Sequence, residues 1–141
     1  MNKKGFTLIE LLAVIVILAV IGVIVIPMMM STINSSRSNA LKASALNIVS
    51  AAENYCAKMQ AEGNIITAHN YNIDETTASE LNFSYNKGLK GLVSITSACK
   101  VAIEVNDGSN CALKKSDADE FTISNDVSNC NGDNVKISTE E

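Results

Sequence analysis

The sequence predicts an α+β fold in which a long N-terminal α-helix, membrane-spanning in its first half, packs its second half against a small antiparallel β-sheet. Three observations carry that expectation. Leu11 to Met30 is a run of twenty residues without a charge. Apolar or small residues then recur at Leu41, Ala45, Ile48, Ala52, Tyr55 and Met59, with spacings of four and three that define one helical face. Stretches suited to strands follow only afterwards, so helix precedes sheet instead of alternating with it.

The apolar run comes first. About twenty residues cross a bilayer core, so Leu11 to Met30 reads as a membrane span. Lys3 and Lys4 precede it and no basic cluster follows at once, which places the N-terminus in the cytoplasm and the bulk of the chain outside. A cleaved secretory signal peptide also has a basic start and an apolar stretch. The run is longer than a signal core, however, and Pro27-Met28-Met29-Met30 offers no small-x-small cleavage site. Glu10, at the start of the run, is a costly residue for a span unless something compensates its charge. Gly22 and Pro27 lie inside the run. Proline removes a hydrogen bond to Val23 and glycine weakens the helix entropically, so Gly22 to Pro27 is where a kink or local loss of helix is cheapest. A kink tolerated in any membrane helix is the alternative.

The helix is expected to continue out of the membrane and stop at Gly63. A helix from Phe6 to Glu62 would be about 85 Å long. Its outer half would bury the Leu41 to Met59 face and leave Lys42, Asn47, Glu53, Asn54 and Lys58 to water. Asn64 to Gly91 lacks periodicity and reads as a long loop with a short helical turn around Ala78 to Leu81. Leu92 to Thr96, Cys99 to Val105, Glu120 to Ser124 and Asn134 to Ser138 read as strands. Asn106-Asp107-Gly108 is a hairpin turn signal leading into a short segment near Cys111.

The four cysteines, Cys56, Cys99, Cys111 and Cys130, all follow the apolar run and lack the spacing of zinc sites. Two disulfides are expected, in an oxidising compartment outside a membrane; four buried thiols are the alternative. Sequence does not choose among the three pairings. Cys56 lies at the end of the helix and is expected to tie helix to sheet through Cys99, leaving Cys111 with Cys130. Such cross-links suit a sheet with few large apolar residues: the whole chain has three Phe, three Tyr and no Trp. Beyond Ser31 fourteen acidic and nine basic side chains give a formal charge of −5, which opposes nucleic acid as a primary ligand.

Lys3-Lys4-Gly5-Phe6-Thr7-Leu8-Ile9-Glu10, followed by the apolar helix, resembles the processing motif of type IV pilins and the related type II pseudopilins. The resemblance is tight over Lys3 to Pro27 and beyond about Gly63 is one of layout. It implies a leader, Met1 to Gly5, removed by a prepilin peptidase that cuts after Gly5, and N-methylation of the new terminus, Phe6. It implies a transmembrane or filament-core helix over residues 6–30, an amphipathic continuation over 31–62, and an exported region over 63–141 with an αβ-loop, a sheet and a disulfide-bonded end like the pilin D-region. Cleavage would give Phe6 an α-amino group four residues from Glu10, about one helical turn. In the family that glutamate is thought to pair with the terminal amine of a neighbouring subunit, making Glu10 an assembly key in a helical homo-oligomer. A carboxylate that stays at the headgroup level beside the lysines is the plain alternative. Many pilins carry the proline too, and in their filaments the segment corresponding to Gly22 to Pro27 can be partly melted.

The implied role is a structural one: a subunit, expected to be a major pilin, of a surface fimbrium serving adhesion, twitching motility or DNA uptake with the pilus assembly machinery. The neighbouring reading is a pseudopilin of a secretion or competence system. Retention of Glu10 separates the chain from tip-type minor subunits, and the absence of Trp and of any Pro after Pro27 from pseudopilins with a Pro- and Trp-containing calcium loop. From a different class, a single-span anchored extracellular binding protein that never polymerises would lack N-terminal processing. No catalytic, cofactor-binding or metal-binding residues are expected. His69, the one histidine, lies in an Asn-rich loop without a motif around it. Asp117, Asp119 and Glu120, or Asp126 with Asp133, offer oxygen ligands but not the spacing of a calcium loop.

Overall fold

The computed structural model describes residues 5–137, which form two compact units divided between Ser36 and Arg37. The expected leader residues Met1 to Lys4, with both lysines, and Ser138 at the end of the last expected strand lie outside the described residues.

Helix α1 is assigned over Leu8–Ala61, two residues later at its start than the expected Phe6. Within the first unit it passes through Gly22 and Pro27 without interruption in this single chain. Almost every side chain there is exposed, including Leu8, Ile15, Ile21, Ile26 and Met30. It is a helix long and apolar enough to cross a membrane by length and composition. Hydrocarbon exposed on this scale has no account in water, whereas lipid or packed neighbours remove its cost.

The second unit begins with the outer half of the helix. Leu41, Ala45, Ile48, Val49, Ala52 and Cys56 are buried, and Lys42, Asn47, Glu53, Asn54 and Lys58 face water. The helix ends in a Schellman motif. Gly63 takes a left-handed φ of 75°, Asn64 N–H donates to Met59 O at 3.0 Å and Gly63 N–H to Gln60 O at 3.0 Å.

Strand β1 (His69–Asn72) follows, inside the segment expected to be loop. Its four residues are too few to show an alternating pattern, and only pairing identifies them. Helix α2 (Glu75–Leu81) starts three residues before the expected turn because the Asp74 side chain caps it, accepting from Thr77 N–H at 2.8 Å. Strands β2 (Lys90–Ile95), β3 (Val101–Asn106), β4 (Cys111–Lys114) and β5 (Thr122–Ser124) complete a meander in the order β1-β2-β3-β4-β5, antiparallel throughout. Cys99 is not in a strand. It sits at φ 58° in the β2–β3 hairpin, where its N–H donates to Thr96 O. The β3–β4 turn lies at the expected Asn106-Asp107-Gly108, with Gly108 at φ 86°.

One glycine is required by a close approach. Gly91, opposite Val105, has φ 153°, and a Cβ there would lie 1.9 Å from the carbonyl oxygen of Glu104.

Five successive residues of β3, Val101 to Val105, are buried, so both faces of the sheet are covered. Val93, Ile95, Val101, Ile103, Val105 and Ala112 join Leu41, Ala45, Ile48 and Ala52 of α1 in one core. The other face carries Ser94, Glu104 and Cys111, and residues 130–137 lie over it as a strap. The expected strand from Asn134 is therefore a turn followed by irregular chain. Val135 is buried there, but the segment is fastened by side chains and not by a ladder.

Candidate functional site

Gly5, Phe6 and Thr7 are not helical, and Phe6 is 90% exposed. The helix begins where Thr7 and Glu10 complete a capping box. Thr7 N–H donates to Glu10 Oε2 at 2.8 Å and the Thr7 hydroxyl donates to the same oxygen at 2.8 Å, while Glu10 N–H reaches Thr7 Oγ1 at 3.3 Å. The carboxylate also lies in the first turn, where the helix dipole favours negative charge. Both side-chain hydrogen bonds of Glu10 among the described residues go to Oε2, which leaves Oε1 able to accept a further donor. Sequence reasoning treated Glu10 as a charge in want of a partner and overlooked Thr7. The signal was present: Thr7-x-x-Glu10 directly before an apolar run is a helix-start pattern. The structure does not pair Glu10 with Phe6, whose nitrogen in this uncleaved chain is a peptide nitrogen without charge.

A second constellation fastens the strap. Glu104, 1% exposed, accepts from Gly132 N–H at Oε1 and from Asn134 Nδ2 at Oε2, the latter at 3.0 Å. Asn134 Nδ2 also donates to Asn129 O at 3.0 Å. Further along, the Asn70 amide treats Ile137 as a neighbouring strand would: Nδ2 donates to Ile137 O at 2.9 Å and Oδ1 accepts from Ile137 N–H at 3.2 Å. The buried Ser94 hydroxyl donates to the same Oδ1 at 2.6 Å. Neither Glu104 nor Asn70 was legible as a fastener, because a carboxylate or amide in a strand reads as solvent-facing until its cover is known.

Two disulfides frame these parts. Cys56–Cys99 joins α1 to the β2–β3 hairpin and Cys111–Cys130 joins β4 to the strap, each with Cα atoms 5.8 Å apart. Of the oxygen-rich candidates, Asp126 caps the 3-10 turn Val127–Asn129 through Ser128, whose hydroxyl and N–H hold its carboxyl below the usual range. Burial pushes Asp107 up, yet N–H donors from Asn110 and Ser109 outweigh it and leave the carboxyl lowered. His69 stands on β1 with its ring centroid 4.4 Å from that of Tyr71. Tyr55 and Tyr71 both direct their hydroxyls to Glu80 Oε1 at 3.4 Å, and burial first, then Tyr55 and Glu80, raises the Tyr71 phenol. These groups tie α1, β1 and α2 together.

Residues 1–26 match the family model of the prokaryotic N-terminal methylation motif. Comparison with curated proteins and with solved structures finds no match. The motif supports a type IV pilin-like prepilin leader and, with the single apolar helix, a membrane-anchored pilin-like or pseudopilin-like precursor. Such precursors are structural and not enzymatic.

Proposed function

We propose that the chain is a structural subunit, a major pilin, of a type IV pilus-like surface filament. A prepilin peptidase cuts after Gly5, Phe6 is N-methylated, and mature subunits polymerise through the N-terminal helix as a helical homo-oligomer. Membrane and assembly machinery are the partners before polymerisation. The filament serves adhesion, twitching motility or DNA uptake.

The observation that carries this reading is one helix that combines the methylation motif with an exposed apolar surface holding a single carboxylate. The bond between Gly5 and Phe6 lies in non-helical chain ahead of the capping box, so a cut there leaves the helix start intact. The cap and an intersubunit pair do not compete: Thr7 holds Oε2, and the Phe6 amine of a neighbour has Oε1 to meet. Gly22 to Pro27 remains the segment at which the packed helix would yield first.

Mass spectrometry of the protein from cells tests the reading. A mature chain starting at N-methylated Phe6 is expected, and an intact Met1 start overturns it in favour of a non-polymerising anchored protein. Glu10→Ala should keep insertion and cleavage and lose filaments; equal filament yield removes Glu10 from the mechanism. Electron microscopy of sheared surface material separates long pili from the short fibres of a pseudopilin.

A further inference from the structure

We propose that Asn131-Gly132 is a self-modification site, at which the folded domain converts Asn131 to an aspartyl or isoaspartyl residue using Glu104 as the base. This is the one Asn-Gly pair in the chain. Glycine at the second position leaves the backbone nitrogen unhindered: no atom lies within 4 Å of where a Gly132 Cβ would be, and φ is 82°.

The fold supplies what the bare dipeptide lacks. Cyclisation needs the Gly132 N–H proton removed, and that N–H donates to Glu104 Oε1, a carboxylate oxygen buried on β3. It also needs the Asn131 side-chain carbonyl polarised. Asp133 N–H donates to Asn131 Oδ1 at 3.1 Å, and Asn134 Nδ2 lies 3.5 Å from the same oxygen. Nucleophile, electrophile and oxyanion donors therefore lie within residues 131–134, directly after Cys130, which its disulfide ties to Cys111 of β4, and the base reaches them from the neighbouring strand β3. Asn131 itself is exposed, so water is at hand.

The step balances without an outside reagent except water. Gly132 N attacks Asn131 Cγ and forms the N–C bond of a five-membered imide. Glu104 takes the proton from Gly132 N and returns it to the departing Nδ2, and the Cγ–Nδ2 bond breaks to release ammonia. Water then opens the imide at either carbonyl. The product carries a new carboxylate beside Glu104 and Asp133, and the isoaspartyl form adds a methylene to the backbone of the strap. Like charges set together on a fastened loop loosen it, so the modification marks the age of a subunit after folding. The inference stands independently of the filament reading.

The test uses the full chain in detergent with disulfides intact, incubated at neutral pH, with the peptide containing position 131 followed by mass spectrometry for the gain of one mass unit. The folded chain should convert severalfold faster than the same chain in urea; an equal or slower folded rate overturns the proposal. Glu104→Gln should slow the folded rate by about 100-fold, the lower end of what a positioned general base contributes. An unchanged rate in a variant that keeps Ile137 N–H protected from exchange overturns it too. Because the first comparison needs no variant, a Glu104→Gln chain that fails to fold leaves the decision with it.

Discussion

Replacing Glu104 by glutamine should weaken the second unit by about 2 kcal/mol, because it leaves one of two charged hydrogen bonds unmade. The carboxylate meets two donors, Gly132 N–H at one oxygen and Asn134 Nδ2 at the other. Glutamine offers a single carbonyl. If it keeps the backbone N–H, its own NH2 faces the Asn134 NH2; rotating Asn134 to present an oxygen forfeits the bond to Asn129 O. At a site 1% exposed, water does not repair the mismatch. About 2 kcal/mol is roughly a 30-fold fall in the folding constant. Pulse proteolysis of the full chain in detergent across a urea gradient reads it. A double-mutant cycle with Asn134→Ala isolates the contact and should return a coupling of about 1–2 kcal/mol. Additivity within about 0.5 kcal/mol would show that the two side chains do not share a bond and would refute the reasoning.

Three further outcomes are expected. Replacing Cys56 and Cys99 together by alanine opens a closed loop with a sequence separation of 43 and should cost about 4 kcal/mol by the chain-entropy relation, read in the same urea assay. Gly91→Ala puts a Cβ against the Glu104 carbonyl and should cost about 3 kcal/mol or more, seen as lost hydrogen-exchange protection across β2 and β3. Asp107 has a lowered folded pKa, so its share of stability is complete above its ordinary value of 3.8 and is lost as pH falls through the folded value; Asp107→Asn should flatten the acid limb of stability below about pH 4.

What was legible in the sequence followed from periodicity long enough to read. The buried face from Leu41 to Ala52, the stop at Gly63 and the turn at Asp107-Gly108 are each written in local spacing or in a residue that backbone geometry demands. Short elements were not. His69–Asn72 carries polar residues and becomes a strand by pairing with Leu92 to Ile95, a partner twenty or more residues away. Asn134 to Ile137 alternates as a strand would, yet the Asn70 and Glu104 side chains hold it where a ladder would otherwise be. At the N-terminus the motif marked Glu10, and Thr7-x-x-Glu10 also carried the capping pattern that the Thr7 hydroxyl completes.

The strap also sets an order of events. Glu104 and Asn70 belong to the sheet, but Gly132 and Asn134, which meet the Glu104 carboxylate, and Ile137, which meets the Asn70 amide, arrive up to 67 residues later in the chain. During synthesis the sheet is thus complete in outline while its outer face still holds an unmet carboxylate and amide. Such a sheet is held open to water, not sealed, until residues 130–137 emerge and close over it. The Cys111–Cys130 bond pins the start of that segment to β4, so a chain in which it is open should be recognisable by reagents and proteases that the finished domain excludes.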